Sequence, residues 1–384
     1  MRNKQYPVID LFSGPGGLGE GFSSFGEFDN SAREGHFNVV VSIEKEKSAR
    51  ETLRMRAYYR QLKSRKIVLD NWYEWLNHGD GPLIPKSDDE IAAMEYAERH
   101  SKLHELGSSK QEDGDLEEEI LKILDSQGLH KNAVLIGGPP CQAYSLVGRA
   151  RNHGNCNYDA AKDHRHFLYR EYLRIVALSK PAVFVMENVR GILSSRVDGE
   201  RIFPKILGDL VCPYKVVGLK DGVRYEIHSL VTDIVFSHGD DPHDIDGRDF
   251  LIKSEEYGIP QKRHRVILLG IREDLINKGC VPGKLKQSDT TVSVQQMLSD
   301  FPGLRSRLSK GGDSSEKWNA VIEQATDTVS HGLNQARLHD VSTTVVGAAD
   351  VEKRRHLTIG GLRCPKNGGA SLDRRKRLAK WVVD

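Results

Sequence analysis

Short apolar runs, each ended by glycine, proline or a charge, recur through the first two thirds of the chain. Tyr6 to Phe12, Phe37 to Ile43, Ala133 to Ile136, Ala182 to Met186 and Val266 to Gly270 are too short for ordinary helices. They are apolar on successive positions, as strands buried on both faces of a parallel sheet are. Asp163 opens a helix that runs to about Leu178, and Pro181 stops it before the next strand. The rhythm is that of an α/β fold. Residues 51–132 break it: Asp88 to Leu106 and Leu116 to Leu124 have helical spacing, with Trp72, Tyr73 and Trp75 ahead of them. This stretch reads as a helical insertion whose acids, Glu112, Asp113, Asp115, Glu117, Glu118 and Glu119, lie on a solvated face. From Gln287 the periodicity weakens; Val292 to Phe301 reads as one helix and Ser306 to Ser315 as loop.

Composition changes this picture little. At 384 residues, 38% hydrophobic and 29% charged, the chain has enough apolar side chains for one large domain and a smaller or partial one. No apolar run approaches a membrane span, and the polar start Met1-Arg2-Asn3-Lys4 lacks a signal-peptide core, so a cytoplasmic protein with no membrane partner is expected. Five scattered cysteines without a CxxC pair read as reduced thiols, with no disulfide framework and no metal site. The net charge of +2 excludes nothing, but its distribution is uneven. Lys353, Arg354, Arg355, Arg363, Lys366 and Arg374 to Arg377 make the end basic, either a phosphate-contacting patch or a solvated tail.

Candidate chemistry gathers where strands end. Gly137-Gly138-Pro139-Pro140 stops the third of these runs abruptly and presents Cys141, at the carboxyl edge where open α/β sheets place ligands. A thiol on so stiff a turn is either a positioned nucleophile or a buried structural cysteine. The first strand runs into Ser13-Gly14-Pro15-Gly16-Gly17, a glycine-rich turn that lets a ligand approach backbone. Glu44 ends the second strand, where an acid holds ribose hydroxyls in such folds or stands as a surface residue beside Lys45 and Lys47. Glu187-Asn188-Val189 arrives at the same edge as Cys141, and Glu187 there is a candidate proton donor. Arg263 and Arg265 alternate into the last strand, two cations on one face suited to an anion or a base edge. The stretch His238 to Asp244 has metal-ligand residue types, but its Gly and Pro favour a solvated loop.

In this order, Asp10-Leu11-Phe12-Ser13-Gly14-Pro15-Gly16-Gly17, Glu44, Gly138-Pro139-Pro140-Cys141-Gln142, Glu187-Asn188-Val189 and Gln261-Lys262-Arg263-His264-Arg265 resemble the carbon-5 DNA cytosine methyltransferases over about residues 6–272. The resemblance implies a Rossmann-like, S-adenosylmethionine-dependent methyltransferase sheet acting on a flipped cytosine in double-stranded DNA, in a bacterial or phage modification system. It implies that Cys141 attacks carbon 6, that Glu187 holds nitrogen 3 and donates a proton, and that Arg265, with Arg263 near, contacts the base. Phe12, Ser13, Gly14, Gly16, Gly17 and Pro139 would line the cofactor site, with Glu44 on the ribose. The implied domains are a catalytic one over residues 1–290, with its insertion at 51–132, and an incomplete recognition region over 291–384. The family's adenine-contacting acid, recognition segment and late Gly-Asn motif are not found in the sequence. The expected enzyme is therefore either truncated or completed by a second polypeptide that supplies the missing parts, and a non-catalytic or partner-dependent half of a split methyltransferase, or an RNA cytosine methyltransferase, stands as the alternative.

Overall fold

β-branched and aliphatic runs meet in a single nine-stranded sheet. In the computed structural model, residues 5–25, 36–78, 82–126, 132–140, 168–197, 199–298, 304–305, 308, 312, 314–354 and 358–359 are described. Five parallel strands make the first half: β1 (Tyr6–Leu11), β2 (Phe37–Glu44), β3 (Ser101–Leu103), β4 (Val134–Gly137) and β5 (Val183–Val189). Their spatial order is β3-β2-β1-β4-β5. The chain steps outward from β1 to β3, then returns to lay β4 on the other flank of β1. That reversal opens a crevice at the carboxyl ends of β1 and β4, the position where such sheets bind ligands.

The second half is antiparallel, built from β6 (Tyr225–His228), β7 (Val235–Phe236), β8 (Leu251–Lys253) and β9 (His264–Arg272). β9 runs against β5, pairing Arg265 with Val189 and Ile267 with Glu187. Because it is antiparallel, its first residues come to the same edge as the last residues of β5. On its far side β9 carries β8 and β6.

Both faces of the parallel half are covered, which is why its strands show no alternation in sequence. Ile9, Leu11, Leu135 and Phe184 enter one core with Tyr172 of α6 (Leu168–Ser179); Val8, Val39, Val134, Ile136 and Val185 enter another, packed by Leu18 and Phe22 of α1 (Gly17–Ser23). Residues 1–292 form one unit and 293–384 a second.

Residues 51–132 differ from the helical insertion expected. α2 (Lys47–Ser64), α3 (Asp70–His78) and α4 (Asp88–His100) do build a local core, with the Trp72 ring tilted against those of Tyr59 and Trp75. The helix expected to reach Leu106 stops at His100, however, because Ser101 turns extended and pairs with Ser42 at the edge of the main sheet. The stretch therefore supplies β3 and belongs to the fold. The acids of α5 (Lys110–Ser126) do not share one solvated face either. Asp113 is buried, with His104 Nε2 2.7 Å from its Oδ1 and the Gly107 amide donating to it, and Glu117 pairs with Arg174 at 2.6 Å. Only acids such as Glu118, paired with Lys122, stand in solvent.

The second unit holds a helical hairpin that periodicity did not announce: α8 (Ser315–Gln335) and α9 (His339–Arg354). The helix expected over Val292 to Phe301 is present as Val294–Leu298. Among the described residues no helix is long and apolar enough to cross a membrane.

Candidate active site at the carboxyl edge of the sheet

The turn after β1 is held by Ser13. Its amide donates to the Ile43 carbonyl (3.1 Å), its hydroxyl donates to the Asp10 carbonyl (2.7 Å), and that hydroxyl accepts from the Ile43 amide (3.2 Å). One side chain thus ties the ends of β1 and β2 together. The turn is tight enough to put Phe12 at φ +53°, an uncommon conformation for a residue with a side chain, and such conformations gather at functional sites. Gly16 sits at φ +93° as the cap of α1, and a Cβ there would lie 2.8 Å from Leu53. A side chain there would be strained by the backbone conformation and would push the Leu53 methyl aside.

Glu44, 9% exposed, stands beside this turn. Its Oε2 accepts from the Gly14 amide and its Oε1 from the Glu46 amide, both at 2.8 Å. Each carboxylate oxygen accepts more than one hydrogen bond, so both keep capacity for a ligand's hydroxyl donors. Space is open above Gly14 and Gly17, where an added Cβ would meet nothing within 4 Å. Acceptors for a diol beside an open glycine cradle fit a nucleoside such as that of S-adenosylmethionine.

Asp10, part of the matching stretch but given no role in it, lies under this turn. It is wholly buried, with neither carboxylate oxygen hydrogen-bonded, and Oδ2 would be 2.9 Å from a Cβ on Gly19. Burial is the main cause that pushes its pKa up to about 7, offset in part by Ser13 and the Arg60 charge and reinforced by Glu44. A carboxylate in an otherwise apolar strand was the visible signal.

Across the crevice three motifs converge. A Cβ on Gly138 would lie 3.0 Å from Glu187 Oε2, so glycine is what allows the end of β4 to approach that carboxylate. The Asn188 amide side chain donates to the Pro139 carbonyl at 3.4 Å, bracing the two strand ends. Arg265 Nε stands 2.5 Å from Glu187 Oε1. That Nε makes no aligned hydrogen bond, so the pair is held by charge and leaves the directional capacity of the carboxylate unused. Arg265 is itself anchored by Nη1 donating to the His264 carbonyl, while His264 meets Glu255 at 2.7 Å and that contact holds Glu255 below its usual range.

The site residues named from sequence are thus brought together in part. Phe12, Ser13, Gly14, Gly16, Gly17 and Glu44 share one wall; Pro139, Glu187 and Arg265 share the other. Arg263 precedes β9 with its side chain exposed and its carbonyl accepting from the Ser254 amide, so it does not join Arg265 on the Glu187 pair. Cys141 and the polar loop after it, like the basic tail beyond Arg354, lie outside the described residues. In the loop His238 to Asp244, Asp240 and Asp241 accept from the Ser237 and His243 amides, which is turn-forming work.

Strand order, crevice and the Glu187–Arg265 pair describe a methyltransferase-like site, and comparison with known proteins identifies the family. Over residues 86–212 and 250–355, more than half of its length, the chain matches the C-5 cytosine-specific DNA methylases, and it belongs to that family. The match runs beyond residue 272, where the motif resemblance ended, and begins after the glycine-rich turn and Glu44. The chain is 29% identical over 397 residues to the type II methyltransferase M.Bpa9945I of Bacillus paralicheniformis, covering 96% of this chain and 80% of that protein. It is 26% identical to the type II methyltransferase M.DdeI of Desulfomicrobium norvegicum, covering 80% of this chain and 50% of that protein. To the DNA (cytosine-5-)-methyltransferase M.ApeKI of Aeropyrum pernix it is 29% identical, over 72% of this chain and 46% of that one. The chain therefore spans four fifths of the first relative and about half of the other two.

Proposed function

We propose that this chain transfers a methyl group from S-adenosylmethionine to carbon 5 of cytosine in double-stranded DNA, on a base swung out of the duplex. The observation that supports it most is the Glu187–Arg265 pair, packed against Gly138 two residues short of the Pro140–Cys141 bond. Phe12, Ser13, Gly14, Gly16, Gly17, Glu44 and Pro139 form the cofactor's seat, with Glu44 taking the ribose hydroxyls. S-adenosylmethionine, when bound, supplies a methyl group on a sulfonium centre.

Cytosine is a poor carbon nucleophile, and the protein's residues answer that difficulty. Cys141 adds as the thiolate to carbon 6, and Glu187 delivers a proton to nitrogen 3 as the ring's electrons move toward it. Arg265 keeps the Glu187 carboxyl aimed into the crevice while the base arrives. Carbon 5 then carries enough electron density to accept the methyl group. Loss of the carbon-5 proton, departure of the thiolate and return of the nitrogen-3 proton to Glu187 restore the ring. The type II relatives favour a role as the modification member of a restriction–modification system.

A covalent trap tests the reading. With fluorine in place of the carbon-5 hydrogen no proton can leave after methylation, so the thiolate cannot depart and the protein stays on the DNA. Purified chain, S-adenosylmethionine and a mixed-sequence duplex carrying 5-fluorocytosine should give a denaturation-resistant adduct. Cys141→Ser should give none while binding the cofactor nearly as well. Absence of an adduct with the wild-type chain would refute the proposal that this chain alone carries out the reaction.

A further inference from the structure

Beyond Glu187, at the same edge of the sheet, lies a cleft of about 890 Å³ that the catalytic motifs do not account for. Its walls come from the turn after β5 and from residues 243–248, and its floor from Leu193, Phe203 and Pro204. Arg265, the partner of Glu187, lines it too, so the cleft is continuous with the crevice.

Its charges are unevenly matched. Asp246 is satisfied by Arg248, with Oδ2 2.6 Å from Nη2 and 2.8 Å from Nε, and that hydrogen bonding keeps its carboxyl below the usual range. Arg190 follows the Glu187-Asn188-Val189 strand end directly, and Arg201 caps α7 (Ile202–Val211), whose first turn supplies the floor; both line the cleft. Both are exposed, and neither guanidinium makes a hydrogen bond or close ion pair among the described residues, although the Arg201 charge acts on Asp246 at longer range. His243 and Asp244, both exposed, line the cleft as well. Two exposed guanidiniums that are not hydrogen-bonded, on an open cleft over an apolar floor, suit anions carried on a less polar scaffold. A cytosine still joined to its strand cannot reach Glu187 without bringing its flanking phosphates to this edge.

We infer that this cleft seats the backbone phosphates flanking the target cytosine, held by Arg190 and Arg201. The inference rests on the DNA-methyltransferase reading above and adds a binding surface to it. Contacts of this kind position the strand without reading its sequence. The Glu187–Arg265 pair would then receive a nucleotide whose backbone is already fixed on either side.

Neutralising a phosphate releases counterions, so each contact contributes about −0.9 to the slope of log affinity against log salt. The probe is a fluorescein-labelled mixed-sequence duplex bound by the full chain, with salt varied from about 50 to 200 mM. Arg190→Gln and Arg201→Gln should each flatten the slope by about 0.9, narrowing the affinity difference across that fourfold range by about 3.5-fold, and the double variant by about 12-fold. Arg201→Lys should restore the slope of that position, and S-adenosylmethionine binding should be unchanged throughout. Arg224→Gln, at the opposite edge where Arg224 pairs with Glu273 at 2.9 Å, should leave the slope at its wild-type value. Wild-type chain that binds duplex while the double variant keeps the full slope would overturn the inference and leave the methyltransferase reading intact. Wild-type chain that binds no duplex at any salt would overturn both.

Discussion

Asp10→Asn isolates the cost of keeping a carboxylate under the glycine-rich turn. In the folded chain burial raises Asp10 from 3.8 to about 7; in the unfolded chain it returns to the ordinary value. Between those two pH values the folded state holds a proton that the unfolded state has released. Wild-type stability from this group is therefore fully present below the unfolded value, falls as pH rises through the window, and is level again above about 7. At about 1.4 kcal/mol per unit, the loss is about 4 kcal/mol across the window. Asparagine has nearly the same shape and does not titrate. It leaves a buried amide unsatisfied at a cost of about 1–3 kcal/mol that does not change with pH. The variant minus wild-type stability should thus climb in the variant's favour by about 4 kcal/mol from about pH 4 to pH 7.5. Urea unfolding of both proteins at steps across that range measures it, and contributions from carboxylates that do not interact with Asp10 cancel in the difference. A difference that stays flat with pH would refute the burial argument. Natural chains retain such a cost mostly where function needs it, and this one lies between the residues that shape the proposed cofactor seat.

Two other substitutions separate chemistry from binding. Glu187→Gln should slow adduct formation by about 10²–10⁴-fold, the usual worth of a positioned proton donor, in single-turnover measurements, with a melting temperature near that of the wild type because the Arg265 pair is partly exposed. An unaltered rate would remove Glu187 from the mechanism. Glu44→Ala should weaken S-adenosylmethionine binding by about 10–100-fold, from losing hydrogen bonds to a charged acceptor, as read by calorimetry without DNA; unchanged affinity would place the ribose elsewhere.

What the sequence determined by itself was the parallel half of the sheet and the residues at its ends. A strand buried on both faces must be apolar at every position, and it must stop where a glycine or proline interrupts it. For that reason β1, β2, β4 and β5 were legible, and with them the places of Ser13 to Gly17, Glu44, Gly138 and Glu187. Residues whose role depends on distant partners were not. Ser101 to Leu103 carries too few residues for a pattern and becomes β3 only because the edge of β2 offers hydrogen bonds. Asp113 and Glu117 looked like their solvated neighbours until His104 and Arg174 met them. α9 opens with the β-branched run Val341 to Val346, apart from Ser342, residue types with low helix propensity; in the folded chain Thr343 and Thr344 donate their hydroxyls to the carbonyls of His339 and Asp340 and the helix persists. The antiparallel turn of β9 was the decisive tertiary event. Period-two spacing put Arg263 and Arg265 on one face, but only pairing against β5 brought Arg265 to Glu187 and left Arg263 outside. Local pattern reports how a residue's own backbone lies and which way its side chain faces. Which charge stands opposite is set by strand order and register, and those are properties of the whole sheet.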